Sequence, residues 1–99
     1  MKFIIVFTDA PDAAPDIRKT HMPAHLAFLE AHSGEIEAAG PLSDPEAQGR
    51  DGLWVVEAQN QAAVEALIRE DPFWPTGLRG GHLVIPWTQV FANGKRLIG

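Results

Sequence analysis

The chain opens on an apolar run with no polar alternation: Phe3, Ile4, Ile5, Val6 and Phe7 follow Lys2 without a break. Such a run suits a strand covered on both faces, which places residues 2–8 centrally in a sheet. Residues 9–15 are a Pro/Asp/Ala loop, too short for an interdomain linker. Beyond it Met22, Leu26 and Leu29 recur at i, i+4 and i+7, which predicts a helix with its apolar stripe on those residues, running to Gly34. Pro23 is tolerated only in a first turn. The helix therefore starts near Thr20–Met22, or an earlier turn holding Ile17 and Arg18 is bent there. Residues 35–39 read as a short strand ended by Gly40 and Pro41, residues 42–52 as a surface loop, and residues 53–57 as a further dense strand. Asn60 is a good N-cap for a second helix with Val64, Leu67 and Ile68 on its apolar face, ending near Glu70. Residues 71–81 are irregular, residues 82–85 form a last strand, and residues 87–91 are extended after Pro86.

The order is strand, helix, strand, strand, helix, strand. Two right-handed crossovers sharing one sheet give a ferredoxin-like βαββαβ sandwich of the α+β class. A four-stranded antiparallel sheet would carry both helices on one face, in a single domain over residues 1–99. The other face then lacks cover, although the strands offer no polar set to place there. Leaving those side chains in water would forgo roughly 1.5–3 kcal/mol each. The pattern thus predicts a homodimer formed by packing sheet against sheet.

Composition narrows the partners. With 8 basic and 13 acidic residues the formal charge is −5, which argues against nucleic acid or an anionic membrane. There is no cysteine, so a disulfide framework, a thiolate metal site and a cysteine nucleophile are excluded. The five-residue apolar run near the start is shorter than the roughly 7–15 residues of a signal peptide or the twenty of a membrane span. A cytoplasmic protein is the expectation.

Four histidines are candidates for chemistry. His21, His25, Phe28 and His32 share one helical stripe beside the Met22/Leu26/Leu29 stripe. His25, next to Leu26, can project from the helix edge into the space between helix and sheet, where an imidazole can serve as a general base. The alternative is a solvent-edge or hydrogen-bonded core histidine. His21 and His25 have i, i+4 spacing, but no third ligand accompanies them, so no metal is expected. Asp71 stands at the end of the second helix, where a carboxylate meets the unfavourable end of the dipole and needs a compensating partner. His25 and Arg18 are the two candidates, and an aspartate can fix an imidazole's tautomer and increase its basicity. The three tryptophans, Trp54, Trp74 and Trp87, suit a core or a dimer contact better than a pocket. No phosphate-binding or dinucleotide glycine motif and no G-x-S-x-G is present.

Taken in order, Arg18 with Pro23-Ala24-His25-Leu26, Ala39-Gly40-Pro41-Leu42, Gly49 to Gly52, Asp71-Pro72-Phe73 and Val84-x-Pro86-Trp87 resemble the YCII-related domain (YciI-like) family over nearly the whole chain. The resemblance implies a dimeric α+β barrel and an active site built on a His and an Asp, which fall on His25 and Asp71. It also implies kinship with a dehydrochlorinase of a chlorinated hydroxyquinol and, more distantly, with muconolactone isomerases and monooxygenases. The expected activity is cofactor-independent elimination, isomerisation or hydrolysis of a small cyclic or aromatic metabolite. Arg18 would anchor its anionic oxygen, and Pro41, Phe73 and Trp74 would complete the substrate-binding walls. The competing expectations are a non-catalytic small-molecule binder or stress-related accessory protein using the same pocket, and a purely structural dimerisation module.

Overall fold

Burial alternates within the apolar runs even though their composition does not. In β1 (Lys2–Asp9) the side chains of Phe3, Ile5 and Phe7 are buried while those of Ile4 and Val6 are only half-covered. In β3 (Gly52–Glu57) Trp54 and Val56 are buried, and Leu53 and Val55 are half-covered. The computed structural model, which describes residues 1–99, joins these to β2 (Ile36–Pro41) and β4 (Arg79–Pro86) in one antiparallel sheet of order β2-β3-β1-β4. Helices α1 (Ile17–Ala31) and α2 (Gln61–Glu70) fill the two crossovers. Both pack on the same face, since Phe28 of α1 and Val64, Leu67 and Ile68 of α2 share one core cluster with Phe3, Ile5, Phe7 and Trp54. The fold is ferredoxin-like α+β. No helix is long and apolar enough to cross a membrane.

Asn60 caps α2 as expected, its side-chain oxygen accepting from the Ala63 amide at 2.9 Å. Helix α1 takes the earlier of the two starts that the sequence allowed and departs from that reading in two further ways. It begins at Ile17 and carries Pro23 inside, where the ring faces solvent. Packing carries that early turn: Ile17 is buried against Phe73 and Leu78, which offsets the backbone bond that Pro23 cannot donate. The buried stripe is Ile17, His25 and Phe28, so His25 and Phe28, set beside the core stripe, belong to the core stripe itself, while His21 and His32 are only half-buried. Leu26 is half exposed, and Met22, Leu26 and Leu29 border a cleft instead. Finally, α1 stops at Ala31, and Gly34 does not take the left-handed conformation of a helix-ending glycine.

Strand β2 runs on through Gly40 and Pro41, and β4 starts three residues earlier than the apolar pattern indicated. Pairing of β1 with β4 slips by one residue between Thr8 and Asp9: Gly81 lies opposite Thr8, and Arg79 opposite Asp9. This bulge leaves out Gly80, where an added Cβ would come within 3.1 Å of the Ala10 Cα. A side chain there would press on the Ala10 backbone, which favours glycine, and skipping one residue swings Arg79 to the helix-bearing side, over the Phe7 ring.

The chain closes with a small hairpin, β5 (Phe91–Ala92) and β6 (Lys95–Arg96), absent from the sequence reading. Its turn, Asn93-Gly94, has positive φ at both residues, as the commonest two-residue hairpin turns require. The β2–β3 loop is organised by Asp44, which accepts from the amides of Glu46 and Gln48 and from Arg50. The Arg50 hydrogen bond leads the causes that lower the Asp44 carboxyl to about 2.

The second face of the sheet is apolar and bare. Register places Ile4 between Val55 and Ile85, and Val6 between Leu53 and Leu83. Leu83 is 64% exposed and Ile85 44%.

Candidate active site

Pro72 disfavours helical geometry at the residue before it, and Asp71 accordingly leaves α2 with extended backbone angles. That turn drives its carboxylate inward, where it is 1% exposed. Three donors meet it there. His25 Nδ1 lies 2.8 Å from Oδ1, the Phe73 amide donates to the same oxygen at 3.0 Å, and Arg79 Nη1 donates to Oδ2 at 2.6 Å. These donors come from α1, from the turn after α2 and from the first residue of β4, so one carboxylate ties three parts of the fold together. The helix-end problem posed by Asp71 is thereby answered by His25 and by Arg79 rather than by Arg18.

Burial by itself would raise the Asp71 carboxyl. The His25 and Phe73 hydrogen bonds and the Arg79 charge reverse that, holding it below the ordinary carboxylate value. Burial likewise draws the Arg79 guanidinium down, and Asp71 opposes the effect. An ionised Asp71 can only accept, so His25 carries a hydrogen on Nδ1, and in the neutral ring Nε2 is the acceptor. Nε2 has no hydrogen-bond partner in the protein and is not sealed from solvent.

His25 lines a cleft of about 100 Å³ beside the β1–β3 side of the sheet. Phe7, Trp54 and Phe73 supply aromatic wall, with the Phe73 ring centroid 4.4 Å from that of His25. Arg79 lies over Phe7 at 3.9 Å, a cation–π contact that holds the guanidinium against the ring. Pro41 and Arg18 also line the cleft. Arg18, however, gives both terminal nitrogens to Asp9, at 2.5 and 3.1 Å.

Of the residues expected from sequence, His25, Asp71, Arg18, Pro41 and Phe73 are gathered at or beneath this cleft. Trp74 is not. It begins the short 3-10 turn Trp74–Thr76, is 44% exposed, and faces the His82 ring rather than His25. The other histidines serve elsewhere: His82 pairs with Glu65 at 2.7 Å, and His32 sits between Glu35 and Glu70. No set of three His, Asp or Glu side chains is gathered as a metal ion would need. Arg79 escaped the sequence reading.

The family model for the YCII-related domain matches residues 1–88. The chain belongs to that family. No curated protein matches it. Among solved structures, this YCII-related chain is similar to 5-chloro-2-hydroxyhydroquinone dehydrochlorinase from Burkholderia phenoliruptrix AC1100, determined in complex with 2,5-dihydroxybenzoquinone. The two share 26% identity over 89% of this chain and 94% of that one, with a TM-score of 0.69. The protein At3g17210 from Arabidopsis thaliana is 17% identical, covers 93% and 97% of the two chains, and gives a TM-score of 0.50. A dimeric ferredoxin-like protein of unknown function from Thermobifida fusca YX is 17% identical over 85% of each chain, also at 0.50. The latter two speak to the fold alone.

The Asp71 site predicts a specific acid response. Because the folded carboxyl lies below its unfolded value of 3.8, its stabilisation is full above that value and is lost as pH falls through the folded one. Urea midpoints measured from pH 7 to pH 2 should therefore fall on acidification. Asp71→Asn should start lower at neutral pH and fall less steeply, the residual slope coming from Asp44 and Glu57, whose carboxyls are also lowered. An unchanged slope in Asp71→Asn would contradict the assignment.

Proposed function

We propose that this chain is an enzyme performing cofactor-independent acid/base chemistry on a small cyclic or aromatic metabolite, with His25 as general base and Asp71 as its positioning partner. The observation that carries the reading is the free Nε2 of an otherwise buried imidazole, held from behind at Nδ1 by an ionised carboxylate and opening on an aromatic cleft. A base so placed removes a proton from a carbon or hydroxyl of the bound ring, and Asp71 stabilises the imidazolium that results. The proton then returns to another position of the ring, an isomerisation, or the electron pair expels an anionic leaving group, an elimination. The similarity to a dehydrochlorinase solved with a dihydroxybenzoquinone supports a flat oxygenated ring as the substrate type. Phe73 and Pro41 serve as walls on this reading, and Arg18 flanks the mouth with its charge already matched by Asp9.

A panel of chlorinated hydroxyquinols and small ring lactones, followed by chloride release and ultraviolet absorbance, tests the activity. His25→Asn should lower the rate on any turned-over substrate by about 100-fold or more while the chain stays folded. A His25→Asn variant with the wild-type rate would overturn the mechanism. Ring binding with no catalysed proton exchange into solvent deuterium would make the site that of a binding protein instead.

We further propose that a second copy of the chain covers the bare sheet face. The patch formed by Ile4, Val6, Leu53, Val55, Leu83 and Ile85 is continuous across three strands, and soluble monomers seldom leave such a patch in water. Light scattering at micromolar concentration should give twice the 10.8 kDa chain mass, and Leu83→Asp should give the single-chain mass. A single-chain mass in the wild type would refute the pairing.

A further inference from the structure

The cleft holds a second buried polar group whose donors are largely unused. Arg79 spends one terminal N–H on Asp71, and no other hydrogen bond to the protein involves its guanidinium. Its side chain is 8% exposed, yet the remaining N–H groups are not sealed from the cleft that it lines beside His25. Arg18 contrasts with it. That guanidinium is 35% exposed and gives both of its terminal nitrogens to the Asp9 carboxylate. Of the two arginines at the cleft, only Arg79 combines burial, a contact with an aromatic face and free donors.

We infer that Arg79 is the anion-recognition residue of this cleft, and that the site takes a ring carrying a carboxylate, enolate or phenolate oxygen. The inference rests on the His25 reading above and adds the substrate's charge. The contact with Phe7 and the bond to Asp71 hold the guanidinium in place, and its remaining N–H groups are the donors that this assignment gives to the ligand. Charge-assisted bonds to an oxyanion are roughly twice as strong as neutral ones, and more so where water is excluded. In a proton abstraction the same donors would meet the oxygen on which negative charge accumulates, while Nε2 of His25 takes the proton.

Benzoate and benzamide share a shape and differ in charge, which makes them suitable probes. Titrated into the full chain and followed by amide chemical shifts, benzoate should bind about ten-fold more tightly than benzamide. Arg79→Gln keeps a donor for Asp71 but no charge, and should bring the two affinities to within about two-fold of each other. His25→Asn should retain the preference for benzoate, which separates anion recognition from proton transfer. In the wild type, with no substitution to disturb folding, benzoate should shift the Arg79 Nε–H signal and leave that of Arg18 in place. Equal affinities in the wild type would overturn the assignment, as would a wild-type preference in Arg79→Gln or a shift at Arg18 alone. A benzoate preference lost only in His25→Asn would overturn it too, and would leave the imidazole as the group that reads the ring.

Discussion

A carboxylate buried to 1% exposure organises this molecule. Taking an ion out of water costs several kcal/mol even after relaxation, and the cost is met only where the remaining lone pairs find good donors. Asp71 finds an imidazole, a backbone amide and a guanidinium. Each arrives from a different part of the chain, so the need to satisfy one charge fixes the height of α1 over the sheet, the exit from α2 and the start of β4 together. Removing a single partner would leave part of a buried charge uncompensated, which couples the three segments energetically.

The same constraint sets the division of labour around the cleft. His25 and Arg79 are both attached to Asp71 and both turn a second function outward, one an acceptor and the other a set of donors. Phe7, Trp54 and Phe73 line the cleft around them, and apolar walls of this kind strengthen an electrostatic contact made by a ligand. Arg18, more exposed and bonded to Asp9 through both terminal nitrogens and to the Asp51 carbonyl, contributes structure to the mouth of the cleft.

Much of this was legible in the residues. The strand and helix order gave the sandwich, the Asn60 cap marked the second helix, and the mismatch of Asp71 with a helix C-terminus pointed to a hidden partner. The rest was hidden for physical reasons. Met22, Leu26 and Leu29 satisfy helical period as well as the true core stripe does, because hydropathy ranks histidine as polar even where Asp71 lets His25 be buried. Arg79 was invisible because strand alternation counted back from His82 and Val84 puts it on the opposite face, and only the bulge at Gly80 returns it. The bulge follows from a close backbone approach between β4 and Ala10, a contact between distant segments that no local pattern encodes. The terminal hairpin did carry a local signal, Asn93-Gly94, in a segment short of strand-forming pattern.

The account turns on which ring nitrogen of His25 holds the hydrogen. Long-range proton–nitrogen correlation spectra of the imidazole, recorded on the wild-type protein above the titration of its histidines, read this directly. Hydrogen on Nδ1, with Nε2 showing the shift of an unprotonated pyridine-type nitrogen, is the result predicted by an ionised Asp71 behind the ring. Hydrogen on Nε2, with Nδ1 unprotonated against Asp71, would contradict it and remove the free acceptor on which the proposed chemistry depends.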